Sequence, residues 1–221
     1  GQAACLDADA GHYVDSTGQS NQTACATGTF NPNNGSQDPS DCLFADAGHH
    51  VPTTGQSNQT GCATGTYQPS TGQAACLFAD AGHHVPTTNQ SSQAPCAAGT
   101  YQPSTGQAAC LDADAGHHVP TTGQSSQTPC APGSFQPSTN QSSCLDAEWG
   151  FYVSEPGSSS QTPCGLGTYN PNNASQSLSD CLPSQPGFYV PTEGSHSETP
   201  CAAGTYQPST GQSACLDADA G

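Results

Sequence analysis

The sequence predicts an all-β, small disulfide-rich protein: tandem repeats of 34 or 37 residues, each of two hairpin halves, stacked into an elongated rod or fibre. Three observations carry this. Thirteen cysteines recur along 221 residues with gaps that alternate between 20 and either 14 or 17. Glycine, an aromatic or imidazole ring and a proline return at fixed places from half to half. Hydrophobic content, at 32%, is too low for one large core.

In chain order, residues 1–7 read as the end of a preceding repeat half. Six repeats follow at 8–44, 45–78, 79–112, 113–146, 147–183 and 184–217, and 218–221 begin another. Numbering each half from its first Cys, or the matching Ala or Ser, puts Gly at position 4 and Tyr, Phe or His at position 6 every time. Position 8 is Pro except at Asp15 and Ser154, and position 11 is Gly or Asn except at Ala174. Proline presets the second place of a tight turn, and Gly or Asn accepts φ > 0 at its end. A half such as GTYQ-PSTG-QAACL is therefore predicted to be a short hairpin. Two longer halves, from Cys25 and from Cys164, insert three residues after the turn. Helical periodicity is absent, and the recurring proline would break any long helix.

The cysteines are lost in pairs. Six halves carry Cys at both ends of the hairpin; the others replace both, with Ala or Ser at position 1 and Gln or Glu at position 15. Joint loss is what bonded partners would show, since a lone thiol is reactive. It gives Cys25–Cys42, Cys62–Cys76, Cys96–Cys110, Cys130–Cys144, Cys164–Cys181 and Cys201–Cys215, with Cys5 unpaired. Pairing across the gap of 20, beginning with Cys5–Cys25, remains open. Closing a loop of about 15 residues contributes roughly 3 kcal/mol, enough for one hairpin, so a Cys-free half must lean on its neighbours. The expected core is Leu43, Leu77 and Leu111, Val51, Val85 and Val119, the rings and the cystines. At ~1.5–3 kcal/mol per buried side chain, one repeat falls short of its own ordering entropy. Stacked repeats are required. Residues 1–11 and 211–221 match in phase, so the array is expected to continue at both ends, with an upstream partner for Cys5.

Composition bounds the partners. There is no Lys or Arg against 17 acidic residues, so no nucleic-acid partner is expected and an anionic membrane is a poor one. No apolar run approaches the ~20 residues of a spanning helix, so this segment is not expected to insert into a membrane. Thirteen regularly placed cysteines fit a disulfide framework in an extracellular or cell-surface setting.

The runs CAAGTYQPSTGQAAC and CATGTYQPSTGQAAC resemble the ephrin-receptor-like cysteine-rich repeats, relatives of the tumour-necrosis-factor-receptor module. The resemblance covers the chain repeat by repeat. It implies small β-structured modules stacked into an extracellular stalk, and a bond from the first to the second cysteine of each unit. The Cys-x-x-Cys link of that family is missing: its second Cys is Ala in CLDADAG and CLFADAG.

Asp112, Asp114 and Gly116 look like the start of a calcium loop, yet Phe44, Phe78 and Pro183 replace the first Asp elsewhere and no bidentate Glu follows. They read as solvated acids, with weak calcium screening as the only cation role, and no metal site is assigned. In the pairs His49–His50, His83–His84 and His117–His118 the second His fills the ring position. Neighbours on a strand face opposite ways, so each pair reads as a ring substitute rather than a chelate. Trp149, the only Trp, stands in the most divergent repeat and reads as a core or inter-repeat ring. Sequons occur at Asn21, Asn34, Asn58, Asn89, Asn140 and Asn173, four of them at turn positions, so glycans are the expected covalent addition. The PSTG and PTTG turns offer O-linked sites as well. Ser, His and Asp recur on every repeat without a water-excluding pocket, so no enzyme is expected and no cofactor. The function that follows is the shaft of an extracellular filament or cell-surface fibre, self-associating or continuing the same array. The alternative is the stalk of a ligand-binding adhesin or receptor.

Overall fold

Two left-handed residues in each half set the local structure. In the half that begins at Cys62, Gly65 (φ 78°) and Gly72 (φ 70°) sit at positions 4 and 11. Around the first, the Thr66 N–H donates to the Ala63 carbonyl at 3.0 Å, closing a turn whose third residue needs φ > 0. The chain then runs through Thr66–Tyr67, turns at PSTG, and returns as Leu77–Phe78, paired antiparallel in the register Thr66↔Phe78 and Tyr67↔Leu77. Twelve such two-stranded sheets occur among the described residues. The conformation persists where glycine is replaced: Asn89, Asn140 and Ala174 keep φ of 62°, 60° and 53°.

The computed structural model describes residues 5–219. The expected phase match of residues 1–11 with 211–221 lies partly outside them, at 1–4 and 220–221. Contacts divide the chain into two compact units. The first holds the residues up to Cys96 with Gln102–Leu111 and Gly123–Ser125; the second holds Ala97–Tyr101, Asp112–Thr122 and the residues from Ser126 on. Within each unit the halves are knitted by backbone hydrogen bonds at fixed offsets. In the first, Gly48 N–H donates to the Gln68 carbonyl at 2.8 Å, Val51 to Gln73 at 3.0 Å and Gly55 back to Cys25 at 2.9 Å. In the second, Gly116 donates to Gln136 at 2.7 Å, Val119 to Gln141 at 3.0 Å and Gly157 back to Cys130 at 2.8 Å. A half therefore bonds mostly outside itself, which answers how two-residue strands persist when an isolated hairpin is marginal. The packing is close. A Cβ on Gly65 would collide with the Gly106 carbonyl oxygen, so position 4 needs glycine for space as well as for φ.

The core is smaller and more polar than expected. Buried side chains are Val51, Val85, Val119, Val153 and Val190, the Ala or Ser at position 1 of the Cys-free halves, and the first cysteine of most pairs. Position 7 is the inward position, Val in Cys-free halves. In Cys-bearing halves it is the buried amide of Asn31, Gln68, Gln102, Gln136, Asn170 or Gln207. Gln68 shows how these amides are satisfied: Nε2 donates to the Ala75 carbonyl at 2.7 Å, and Oε1 accepts from the Ser70 N–H at 3.1 Å. One side chain thus braces both arms of the turn. Leu43, Leu77 and Leu111, expected inside, are each 48% exposed. Each follows a bonded Cys, and successive strand residues face opposite ways; with the cysteine turned inward the leucine must turn out. Trp149 occupies position 3, in the first turn, and at 61% exposed is not a core ring; the inter-repeat alternative holds, its ring meeting that of His196 in the next repeat, while Phe151 and Tyr152 are the half-buried rings of that half.

Six disulfides join the two ends of alternate hairpins, Cys25–Cys42, Cys62–Cys76, Cys96–Cys110, Cys130–Cys144, Cys164–Cys181 and Cys201–Cys215. The bonds span 14 or 17 residues, never the gap of 20. Cys5 is free and exposed. The three-residue insertions are ordered: Pro39–Asp41 and Leu178–Asp180 form single 3-10 turns with capping boxes from Asp38 and Ser177. Ser40, through its hydroxyl and then its backbone N–H, holds the exposed Asp38 carboxyl below its ordinary value of 3.8.

Candidate functional site

Position 2 and position 15 meet in every Cys-free half, and this explains why the cysteines can be absent there. Asp46 N–H donates to Gln59 Oε1 at 2.6 Å, while Gln59 Nε2 donates to the Asp46 carboxylate at 2.6 Å. The reciprocal pair recurs as Asp9–Gln22, Asp80–Gln93, Asp114–Gln127 and Glu148–Gln161. In the sixth repeat the amide and acid trade places, and the Gln185 N–H donates to Glu198 Oε2 at 2.8 Å. An acid–amide brace therefore closes the hairpin that no cystine closes. Asp114, whose place resembles the start of a calcium loop, already spends one carboxylate oxygen on Gln127. The signal was present in the sequence as the joint recurrence of an acid at position 2 with Gln at position 15, and its inversion in one repeat.

The second histidine of each pair lies against a disulfide. His50 Nδ1 is 3.2 Å from Cys76 Sγ, His84 Nδ1 is 3.3 Å from Cys110 Sγ, and His118 Nδ1 is 3.2 Å from Cys144 Sγ. A disulfide sulfur carries no hydrogen, so the imidazole N–H is the donor. Each ring sits in the half preceding the cystine, brought there by the half-to-half hydrogen bonds. The first histidines turn to backbone instead: His49, His83 and His117 place Nδ1 3.4 Å from the carbonyls of Ala47, Ala81 and Ala115. The two members of each pair are thus separated. The other cystines have no histidine at the matching place, where Tyr13, Tyr152 and Tyr189 stand.

One open depression of about 410 Å³ is lined by Asp146, Ala147, Glu148, Trp149, Asn173 and His196. The Trp149 and His196 rings lie near one another, centroids 6.4 Å apart and tilted by 43°. The six sequon asparagines, Asn21, Asn34, Asn58, Asn89, Asn140 and Asn173, are all exposed. No helix among the described residues is long and apolar enough to cross a membrane.

Neither a scan against protein-family models nor a search of curated protein sequences gave a match. The repeated hairpins and their six disulfides make this chain a cysteine-rich tandem-repeat protein.

Proposed function

We propose that the protein is a structural component, the shaft of an extracellular filament or cell-surface fibre, built from repeats like those of ephrin-receptor-like stalks. The observation that carries this reading is the periodicity of the bonding itself. Each half draws its hydrogen bonds from neighbours at fixed offsets, so the arrangement can lengthen by repeating one interface rather than inventing new ones. Continuation of the same array, within one chain or by self-association, is the partner relation the reading calls for. The disulfides and the acidic, cation-free surface suit an oxidising medium outside the cell. N-glycans on the exposed sequons would add the hydration that a thin core cannot provide. The reading assigns no catalytic role and no cofactor. Calcium affinity is placed no better than roughly millimolar; calorimetry showing tight, stoichiometric binding per repeat would overturn that placement. Electron microscopy of the native material tests the function directly. Uniform fibres support it, and discrete cell-bound molecules contradict it.

A second reading, a ligand-binding stalk, is favoured by one feature. Trp149 with His196, Asp146 and Glu148 forms an exposed ring beside carboxylates in the least regular repeat. A flat ring next to hydrogen-bonding acids is suited to a sugar face, and Trp149→Ala abolishing attachment of intact cells would move the assignment to this reading.

A further inference from the structure

The six cystines fall into two chemical classes. Three have an imidazole nitrogen within hydrogen-bonding distance of the outer sulfur, and three have a tyrosine at the corresponding place. In the first class the ligand-capable atoms of His50, Cys62 and Cys76, of His84, Cys96 and Cys110, and of His118, Cys130 and Cys144 all lie within 4.8 Å of one another. While the disulfide is intact its sulfurs are not thiolates and the cluster holds no ion. We propose that reduction converts these three cystines, and only these, into Cys2His sites for a soft or borderline divalent cation such as zinc.

The geometry suits the ion. Zinc binds thiolate at about 2.3 Å and imidazole at about 2.0 Å in a tetrahedron, which keeps ligand atoms roughly 3.5 Å apart. His50 Nδ1 already stands 3.2 Å from Cys76 Sγ, so the sulfurs need only separate from bonding to van der Waals distance. Hydrogen bonds to neighbouring halves add to the disulfide in positioning the first cysteine of each pair. Cys62 N–H donates to Gly48 at 2.8 Å and its carbonyl accepts from Asn89 at 2.9 Å, and Cys96 and Cys130 are held the same way by Gly82 with Gly123 and by Gly116 with Gly157. The first cysteine is buried and the second half-exposed, so the fourth position of the tetrahedron opens toward water. A tyrosine in place of the histidine supplies a phenol, a poor ligand for zinc beside two thiolates, and leaves the other three pairs one ligand short.

The chemistry balances. Two electrons come from a thiol or phosphine reductant: a disulfide and two reductant thiols give two protein thiols and the reductant's disulfide, and with a phosphine and water the by-product is the phosphine oxide. The dication then binds two thiolates and a neutral imidazole, and two protons are released. Exchange with a small-molecule disulfide, which takes the two electrons and two protons and leaves as two thiols, re-forms the cystine and releases the metal. The repeats would thus sense reduction by loading metal at three consecutive cystines in the middle of the chain.

The test uses the full chain with Cys5→Ser, reduced by a water-soluble phosphine and titrated with zinc or with cobalt as a coloured substitute. The expected result is saturation at three ions per chain, one for each cluster, with thiolate-to-cobalt charge-transfer bands. Alkylation followed by cleavage at acidic residues should find Cys62, Cys76, Cys96, Cys110, Cys130 and Cys144 protected by zinc. Cys25, Cys42, Cys164, Cys181, Cys201 and Cys215 should be modified. The triple variant His50→Tyr, His84→Tyr, His118→Tyr, which copies the residue of the other class, should bind at least roughly tenfold more weakly while its oxidised form keeps the β signal. Binding of six ions, equal protection of all twelve cysteines, unchanged affinity in the variant, or no binding at all would each overturn the proposal. The protection pattern is read on histidine-intact chain and decides the matter even if the triple variant does not fold.

Discussion

Ala174 holds φ at 53° where the other halves use glycine or asparagine, and an L-residue pays roughly 1 kcal/mol for that conformation. Ala174→Gly is therefore expected to raise the free energy of unfolding by about 0.5–1 kcal/mol, and a denaturant titration showing lower stability would contradict the turn geometry. The buried amides give a larger effect. Gln68→Ala strips the Ala75 carbonyl and the Ser70 N–H of their partner and should cost about 2 kcal/mol; a change below about 0.5 kcal/mol would mean that water replaces the amide without loss. At this scale the turn residues were legible in the sequence, because φ > 0 leaves few residue choices and the repeats show which ones are used. The buried amides were not. Polar side chains read as surface until a structure shows that their donors and acceptors are all matched, as those of Gln68 are.

The two kinds of hairpin differ in how their ends are tied. One has a covalent bond; the other has two hydrogen bonds between an acid and an amide, as in Asp46 with Gln59. A double-mutant cycle on Asp46→Ala and Gln59→Ala should show a coupling of about 1 kcal/mol, since bonds to a carboxylate are stronger than neutral ones. Coupling near zero would demote the brace to a surface contact. Which cysteines pair was readable from spacing, because paired loss of Cys at positions 1 and 15 marks two residues that act together; register was not, and the returning arm expected over QAACL pairs only at its end, as Leu77–Phe78. The direction each strand faces was read wrongly for Leu43, Leu77 and Leu111. With strands of two residues there is no alternation long enough to reveal a face, and hydrophobicity alone sent the leucines inward. The inward position is set instead by the cysteine just before each leucine. Of the two places open to Trp149, core or inter-repeat ring, only the second is used: position 3 lies in a turn that projects into solvent, and the ring meets His196 of the next repeat.

Across the molecule, stability is shared between local ties and the hydrogen bonds that pass from half to half. The sequence showed the repeat and implied that no unit stands alone; it gave no sight of the ladder at Gly48, Val51 and Gly55, because backbone bonds leave no residue signature beyond the glycine that lets two chains approach. Nor could spacing place His50 on the cystine of the following half, a contact made only by stacking. If the proposed fibre depends on this arrangement, the cystines are its most exposed dependency. Each closes a hairpin of 14 or 17 residues, and losing one should cost roughly 3 kcal/mol. The direct test is complete reduction of the native material in the absence of metal, followed by circular dichroism and electron microscopy on the same sample. The account predicts that the β signal and the fibre are lost together. Fibres and β signal that survive full reduction, with every cysteine shown by alkylation to be free, would contradict it.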